Sequence, residues 1–492
     1  MRNENHQSPV LQSTLWILFF IVLIGAFLRI YPLKHEALSG DELFSARVAL
    51  APINNSYVMV RDDLVHPPLY YLLLKIGIST MVANALGLRL LSLAAGLLTI
   101  PLVWLLGRRL GASDATGLLA AALVALNVNT IFYSQEARSY AVYTFLVLLF
   151  ALWLSIIAKK QTASMWVVGG VLMLLLFYTH YVAAVFVVLS MVALRFSNVE
   201  VSVKKTAVAI AAAAGIGFIP WLYVVSKVYR LKHGVGENLD WQGHPEFYDL
   251  KRIWALSLGL PEIKGATTVV LVIVILLVSA AIFNEWKRHI LRQNILLLVS
   301  VVAGVLAPLT LFVLSRKPIN LPLFGLRHVL PSTVLLCLVC CHGLMRLAEA
   351  AGRWRRLLFA GGTVLLLALV AVPEIGAFRH GPARFPYDVI AAQVVAEESQ
   401  GIPAYTTWLY GIGEPANFYC HSVCVWDVSE NAGHLPRKFV LLYRPRNPME
   451  TKVYLDLLNQ GFVADKSTYY TDGANDPSGT TAATMERSPH MQ

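Results

Sequence analysis

Apolar segments long enough to cross a bilayer recur along the first three quarters of the chain, and this recurrence limits its possible folds more than any other feature. A helix of about twenty apolar residues spans the roughly 30 Å of hydrocarbon in a membrane. Hydrophobic residues make up 57% of the 492 residues and charged residues only 14%, which excludes soluble globular, disordered and fibrous proteins. The sequence therefore predicts an all-α polytopic membrane protein. About 11–13 transmembrane helices are expected, of which eleven are located at residues 15–30, 88–107, 115–132, 139–158, 164–178, 181–196, 206–225, 267–284, 294–314, 329–346 and 356–373.

The basic residues indicate how these spans are oriented. The formal net charge is +11, but the cations lie in short loops between apolar segments, which is typical of membrane topology and predicts no nucleic-acid partner. These loops all fall on the cytoplasmic side if residues 66–85 form a helix that lies along the outer membrane face or re-enters it. Residues 33–87, the loop 226–266 and the tail after about 374 are then outside. The first span lacks a small-residue cleavage site and is interpreted as retained.

The composition changes after the last span and predicts a small α/β extramembrane domain. The domains expected are a membrane domain at 1–373, an extramembrane domain at 374–471 and a disordered tail at 472–492, which is rich in Gly, Ser, Thr and Asp. Within the extramembrane domain, 385–400 and 454–460 are predicted helices and 439–443 a buried strand. Trp408, Tyr410 and Trp426 are available there either to stack on sugar rings or to fill the core.

The five cysteines form no disulfide framework. Cys337, Cys340 and Cys341 lie in an apolar segment and are expected to be buried as small hydrophobic residues. Cys420 and Cys424 lie outside the membrane, where a disulfide and two free thiols are both consistent with the sequence.

Two adjacent carboxylates follow the first span by about ten residues. Asp41 and Glu42 come directly after Ser39 and Gly40, close to where the bilayer begins. One carboxylate can act as a base while its neighbour orients a partner. The same residues also have the pattern of a helix N-terminus, where acids interact favourably with the helix dipole, and both interpretations stay open.

Further polar residues lie at predicted membrane boundaries. His66 precedes two prolines that set a helix start, and a solvated histidine there is the simpler interpretation. Glu136 and Arg138 lie between two apolar segments, where ionisable residues are costly unless they face a polar cavity. The alternative for this pair is an interfacial position among belt aromatics.

Two arginines begin spans on the predicted outer side. Arg89 opens the second span, and Arg327, followed by His328, opens the tenth. A guanidinium offers a planar fork of donors that matches phosphate oxygens, although snorkelling to headgroups is a common fate for arginine at a span end. No motif for a structural zinc, a nucleotide or a dinucleotide is present, so no metal ligand and no certain cofactor is predicted. Carboxylates near the outer face could still take a divalent cation.

Four segments in this order carry a resemblance to a known group. They are Gly40-Asp41-Glu42, His66-Pro67-Pro68-Leu69-Tyr70-Tyr71, Leu88-Arg89-Leu90-Leu91-Ser92 through Pro101, and Tyr133-Ser134-Gln135-Glu136-Ala137-Arg138-Ser139-Tyr140. Together they resemble the protein O-mannosyltransferase and aminoarabinose transferase group of GT-C glycosyltransferases. The resemblance covers about residues 15–160. Later, Arg327-His328-Val329-Leu330-Pro331 is similar to the group's Arg-Tyr-x-x-Pro element, with histidine in place of tyrosine.

The resemblance implies an inverting glycosyltransferase that moves a sugar from a polyprenyl-phosphate carrier to an acceptor on the periplasmic side of a bacterial inner membrane. It implies that Asp41 is the base and Glu42 an auxiliary acid. Arg89, Arg138 and Arg327 would contact the donor phosphate. His66 and Glu136 would shape the acceptor and sugar pocket. The acceptor is a glycan, lipid or protein.

The chain departs from the group in two respects. The loop 226–266 is too short for the inserted domain of eukaryotic mannosyltransferases, and His66-Pro67 replaces the Lys-Pro of aminoarabinose transferases. Two alternatives of other classes are a multi-span transporter or lipid flippase and a non-catalytic scaffold. The lack of an internal repeat argues against a transporter.

Overall fold

We describe the protein from a computed structural model. The residues described are 9–35, 37–80, 85–111, 113–231, 245–257, 266–319, 321, 323–380, 387–407, 409–420, 423–431, 434–445, 447–470 and 480–488. They divide into two compact units, each taken by itself below. The first unit comprises Met1–Tyr31 and Val48–Ile375, and the second Pro32–Arg47 and Gly376–Gln492.

The first unit is built from helices. Their bounds are α1 Pro9–Ile30, α2 Gly40–Leu50 (its last turn only), α3 Ile53–Asp63, α4 Leu69–Thr80, α5 Ala85–Gly111, α6 Asp114–Leu126, α7 Val128–Ser134, α8 Tyr140–Ile157, α9 Ala163–Thr179, α10 Ala183–Phe196, α11 Val201–Leu231, α12 Phe247–Ser257, α13 Ala266–Lys287, α14 Ile295–Leu314, α15 Leu330–Ala350 and α16 Arg355–His380. Short 3-10 helices lie at Leu291–Gln293 and Gly352–Trp354.

Eight of the described helices are long and apolar enough to cross a membrane, which confirms an all-α polytopic protein. A ninth span results if α6 and α7, which meet at a 62° bend, are counted together. The predicted spans 164–178 and 181–196 coincide with the shorter apolar helices α9 and α10. Helix α4 has only 12 residues, too few to span the hydrocarbon at 1.5 Å per residue.

A buried arginine in α1 links this helix to α6 and α7, the two helices that meet at the bend. Arg29 is fully buried, and its guanidinium donates to Ala125 O at 3.0 Å and to Val124 O at 3.2 Å, where α6 ends. It also donates to Thr130 Oγ1 at 3.2 Å and to Ser134 Oγ at 3.3 Å. These bonds satisfy the carbonyls that the bend exposes, so a charge that is costly in an apolar bundle has partners on every side.

A second charged cluster joins α13 to α15. Glu285 and His342 are fully buried, and His342 Nε2 lies 3.0 Å from Glu285 Oε1. Arg346 donates to the same carboxylate oxygen at 2.7 Å and to Glu349 at 2.8 Å. Because each charge has an opposite charge or a hydrogen bond, the two helices can pack through an ionic contact inside the bundle.

The second unit contains a five-stranded mixed sheet in the order β2-β1-β3-β5-β4. Strand β1 is parallel to β2 and β3, while β5 pairs antiparallel with β3 and β4. Helices α17, α18 and α19 accompany it, with a π-helical turn at Leu409–Gly413. The bounds are α17 Tyr387–Glu398, β1 Ala404–Thr406, α18 Glu414–Cys420, β2 Val425–Asp427, β3 Lys438–Tyr443, α19 Pro448–Asn459, β4 Phe462–Tyr470 and β5 Thr480–Arg487.

The tail after residue 472 is not wholly disordered, and that expectation is wrong for Thr480–Arg487. This segment is β5, which lies between β3 and β4 and buries Ala482, Ala483 and Met485. Its small residues gave a low hydrophobic signal in the sequence. They are buried because pairing on both edges satisfies the backbone and places a close-packed strand inside the sheet.

The segment after α1 groups with the second unit rather than with the membrane helices. It begins with a 3-10 turn at Pro32–His35 and runs into the start of α2. Ala37 belongs to a buried core with Tyr387, Ile390 and Val440, and the Leu38 N–H donates to the Tyr419 hydroxyl at 2.5 Å.

Cys420 and Cys424, whose pairing the sequence left open, form a disulfide in the second unit. Cys337, Cys340 and Cys341 are free and buried in α15, as expected. Trp408 and the side chain of Tyr410 lie outside the described residues, whereas Trp426 lies on β2, 6.1 Å from the Tyr405 ring.

Candidate active site

Asp41 and Glu42 occupy the first turn of α2 with very different exposures. Glu42 is fully buried and its Oε2 accepts the Ser39 N–H at 2.9 Å, while Ser39 Oγ accepts the Glu42 N–H at 3.4 Å. These reciprocal bonds are a capping box, which the Ser39-Gly40-Asp41-Glu42 pattern encodes locally. Asp41 is exposed on the same turn. The two carboxylates therefore differ in what they can do: Glu42 holds the helix start, and Asp41 faces solvent.

His66 and Arg138 are in direct contact in the first unit. Arg138 Nη2 lies 3.2 Å from His66 Nδ1, and Nη1 donates to the Tyr71 hydroxyl at 3.2 Å. The guanidinium is the donor in this contact, and a ring nitrogen of His66 is the acceptor. His66 is 2% exposed and Arg138 5%, so the simpler interpretation of His66 as a solvated histidine is wrong.

Arg89 is also buried, which rules out snorkelling for it. It is 0% exposed in the first turns of α5, three residues before Ser92. The Ser92 hydroxyl donates to Arg138 O at 2.9 Å and shares a hydrogen bond of 3.0 Å with the Tyr70 hydroxyl. Helix α5 therefore positions the backbone of Arg138 and carries Arg89 on the same segment.

Arg327 and His328 precede α15. Arg327 is half-buried, whereas His328 is buried, and its Nδ1 lies 2.6 Å from Leu323 O. Because a carbonyl only accepts, Nδ1 must carry the proton and Nε2 is left as the acceptor of the neutral ring. Burial and the neighbouring Arg327 lower the pKa of His328 to about 3.

His180 is a member of this cluster that the sequence interpretation missed. Its ring stacks on Tyr143 at 4.9 Å and lies 5.6 Å from the His66 ring and 5.3 Å from the His328 ring. Its Nδ1 accepts the Val182 N–H at 3.2 Å, so its Nε2 carries the proton. Within the described structure this buried Nε2 has no hydrogen-bond partner. The Thr179-His180-Tyr181 turn between two apolar helices was the available signal.

The pKa of His180 shows which ionisable residues act on its ring. Burial lowers the pKa of His180 far below its ordinary value, and His328, His66, Arg327 and Arg138 lower it further. Two of the three arginines predicted to bind phosphate, Arg138 and Arg327, therefore lower the pKa of this one buried imidazole. Glu136 is half-buried two residues before Arg138, whose N–H donates to the Glu136 carbonyl at 2.8 Å.

The structure thus brings His66, Arg138 and Arg327 together around His180 in the first unit, with Arg89 on the helix that supports Arg138. Asp41 and Glu42 belong to the second unit, which is described separately. In the described part of the chain, no group of three or more His, Cys, Asp or Glu side chains is placed to hold a metal ion.

Known proteins resemble this chain in part of its sequence and in its fold. Residues 65–224, about a third of the chain, match the family model of dolichyl-phosphate-mannose-protein mannosyltransferases. This region includes His66, Arg89, Arg138 and His180. Among proteins of curated function, none matches the chain by sequence.

Three solved structures share the fold at low identity. The apo oligosaccharyltransferase of Archaeoglobus fulgidus gives a TM-score of 0.55 at 10% identity, over 84% of this chain and 64% of that one. Apo ArnT from Cupriavidus metallidurans gives 0.54 at 14%, over 96% and 98%. The A. fulgidus oligosaccharyltransferase AglB in complex with an inhibitory peptide and a dolichol-phosphate gives 0.53 at 11%, over 97% and 74%. The chain thus spans less than two thirds of the apo oligosaccharyltransferase and nearly the whole of ArnT.

The fold is therefore that of GT-C membrane proteins, as the sequence predicts. Together with the family-model match over residues 65–224, this fold makes the chain similar to mannosyltransferases in sequence and to ArnT and AglB in structure.

Proposed function

We propose that this chain is an inverting glycosyltransferase that moves a sugar from a polyprenyl-phosphate carrier to an acceptor at the outer, periplasmic face of a bacterial inner membrane. The observation that carries the proposal is the convergence of Arg138 and Arg327 on the buried His66–His180–His328 cluster. A buried guanidinium supplies a fixed positive charge and paired donors, which suit a phosphate monoester or diester.

The phosphate needs such charges because of how the reaction proceeds. The acceptor oxygen bonds to the anomeric carbon while the bond from that carbon to the phosphate oxygen breaks, and the electron pair leaves with the polyprenyl phosphate. Negative charge therefore grows on the phosphate in the transition state. Preorganised cations lower the barrier by stabilising that charge, and Arg138 is preorganised by its bonds to His66 and Tyr71.

The proton on the acceptor hydroxyl must go to a base, and Asp41 is assigned that role. Its exposure allows an acceptor to approach from water, while the Ser39–Glu42 capping box fixes the helix turn that carries it. Glu42 is an auxiliary acid that orients this turn. Arg89 is a further phosphate contact, and Glu136 shapes the sugar pocket with His66.

Two observations support the compartment and the carrier. The Cys420–Cys424 disulfide favours an oxidising compartment for the second unit, because cytosolic thiols are kept reduced. The similar fold of AglB was solved with a dolichol-phosphate and an inhibitory peptide, which supports a polyprenyl-phosphate donor. The acceptor class is open among glycan, lipid and protein.

The test is donor consumption by the purified protein. The detergent-solubilised wild type is incubated with polyprenyl phosphates carrying different hexoses and pentoses and with a membrane extract as acceptor source, and donor loss and product are followed by mass spectrometry. We expect one donor to be consumed with release of free polyprenyl phosphate. Failure to consume any donor, together with movement of intact donor across liposomes, would favour the flippase alternative.

A further inference from the structure

A cavity of about 460 Å³ lies between α3 and the C-terminal turns of α11, both within the first unit. It is separate in its residues from the His66–Arg138 cluster. Its polar lining consists of Tyr57, Arg61 and Asp62 from α3 and Tyr223 and Lys227 from α11. Val224, Val228 and Leu231 complete the wall.

The position of this cavity along α11 places it at a membrane boundary. Lys205 and Lys227 are 22 residues apart on this one helix, a rise of about 33 Å at 1.5 Å per residue. That distance matches the roughly 30 Å of hydrocarbon, so the two lysines lie at opposite faces. Only 17% of the apolar segment of α11 is buried in the protein, so the helix faces lipid between the two lysines.

Helix α3 has the character of a helix that lies in the membrane interface. Its exposed residues include Ile53, Tyr57 and Val58, which are apolar or aromatic, together with Asn54 and Asn55, while Ser56 and Val60 are buried against the protein. The charged residues Arg61 and Asp62 follow at its C-terminal end. A lipid in the adjacent leaflet would therefore have its headgroup level with the charged end of the cavity.

The charges of the cavity suit a phosphate. Arg61 Nε is 2.6 Å from Asp62 Oδ1, which fixes the guanidinium and leaves its two Nη groups as donors for a further acceptor. On α11, the Lys227 ammonium lies 4.3 Å from the centre of the Tyr223 ring, and this cation–π contact restrains the ammonium. Two cations and one carboxylate leave a single positive charge, which one phosphodiester anion neutralises.

We propose that this cavity is a binding site for the anionic phosphate headgroup of a membrane lipid. The lipid chain lies along the exposed apolar surface of α11, and the headgroup contacts Arg61 and Lys227. The site lies at the same membrane face as the candidate active site, because α3 ends at Asp63, whose carboxylate is 3.5 Å from His66 Nδ1. The proposal does not depend on glycosyl transfer.

Interfacial lysine and tyrosine residues are common in membrane proteins without any bound lipid. This cavity differs because its two cations come from separate helices and both are restrained by a neighbour. A lone snorkelling lysine would interact with lipids by net charge alone, so a matched charge change elsewhere would have the same effect. The experiment uses that difference.

The test is lipid binding measured by native mass spectrometry on the full chain. The variant Arg61→Gln with Lys227→Gln removes both cavity cations. The variant Lys205→Gln with Lys251→Gln makes the same change in net charge at exposed positions of α11 and α12 that do not line the cavity. The ligands are phosphatidylglycerol, polyprenyl phosphate, zwitterionic phosphatidylcholine and inorganic phosphate. Arg61→Lys with Lys227→Arg keeps the charges and controls for folding.

We expect the cavity variant to bind an anionic lipid at least tenfold more weakly than the wild type, while the control and charge-conserving variants keep their affinity. If the cavity variant binds phosphatidylglycerol more weakly, the ligand is a bilayer phospholipid. If it binds only polyprenyl phosphate more weakly, the ligand is the carrier lipid. Equal losses in the two glutamine variants, no loss, or binding of inorganic phosphate as tight as that of lipid would overturn the proposal.

Discussion

Arg138 is the residue on which the candidate site is built. It is almost fully buried and bridges Tyr71 on α4 to His66 in the preceding loop. An isolated lysine or arginine is costly at membrane depth, so a buried one that contacts other ionisable residues, as Arg138 contacts His66, is a candidate functional position. The bridging geometry depends on the planar fork and not on charge alone.

Replacing Arg138 with lysine therefore separates geometry from charge. A lysine keeps the positive charge but cannot contact both His66 and Tyr71 from one planar group. We expect Arg138→Lys to lower kcat on the order of 10²-fold, the usual effect of losing one preorganised electrostatic contact. Arg108→Lys, at an exposed arginine paired with Asp114 at the other end of α5, should leave kcat unchanged. Equal rates in all three proteins would remove Arg138 from the mechanism.

The buried histidines predict a loss of stability in acid. The pKa of His328 is about 3 in the folded protein, compared with an ordinary value of 6.5. Between these values the unfolded chain binds the proton and the folded chain does not, so the stabilisation is complete above pH 6.5 and decreases as the pH falls. At pH 5 the loss for one such group is about 2 kcal/mol. His180 acts in the same direction.

This prediction is measured by the Tm of the detergent-solubilised protein between pH 8 and pH 5. The wild type should lose stability over this range, and His328→Asn should lose less because it has no imidazole to protonate. A variant with the same pH slope as the wild type would show that His328 is not buried as a neutral group.

Single residues were only partly predictable from the sequence. His66, Arg89 and Arg138 stand in recognisable local patterns, and the structure finds all three buried. His180 was not predicted, because its importance arises from ring contacts with residues 37 and more positions away in the chain, and no local pattern records them.

Among the helices, hydropathy predicted the positions well and their interruptions poorly. All eleven predicted spans coincide with described helices or with the bent α6–α7 pair. The bend itself was not predicted. It lies at Asn127, whose side chain accepts the N–H groups of Asn129 and Thr130 and starts a new helix inside an apolar segment. Hydropathy averaging does not register one such cap.

Gly343 tests how closely α13 and α15 pack. A Cβ at this position would lie 2.0 Å from the Leu277 carbonyl oxygen, so the two helices must move apart to admit a methyl group. We expect Gly343→Ala to destabilise the protein by about 1–3 kcal/mol through overpacking, seen as a lower Tm. Gly215→Ala in α11 is the matched control, because nothing lies within 4 Å of its added Cβ. Equal Tm values would mean that the helices are not in this contact.

For the whole molecule, the sequence predicted a set of membrane helices and a small α/β domain, but not which residues belong to each unit. The membrane helices and the small α/β domain both follow from composition. The grouping of Pro32–Arg47 with residues far along the chain depends on tertiary contacts such as that between Leu38 and Tyr419. Strand β5 was missed because small residues are buried there by sheet pairing instead of by their own hydrophobicity.

The disulfide gives a prediction about the compartment of the second unit. If this unit lies outside the cytoplasm, protein extracted from cells with an alkylating agent present should contain Cys420 and Cys424 as a linked pair and Cys337, Cys340 and Cys341 as alkylated thiols after denaturation. Peptide mass spectrometry without reductant makes this measurement. Alkylation of all five cysteines would place the unit in a reducing compartment and contradict the periplasmic assignment.

The central claim is that Asp41 removes a proton from an acceptor during sugar transfer from a polyprenyl phosphate. The most direct measurement compares the product formation rates of the wild type, Asp41→Asn and Asp249→Asn, the last altering a carboxylate at the start of α12 in the first unit. Loss of a general base predicts a decrease of about 10²–10⁴-fold for Asp41→Asn alone, with Tm unchanged. Transfer at the wild-type rate by a folded Asp41→Asn protein would contradict the account.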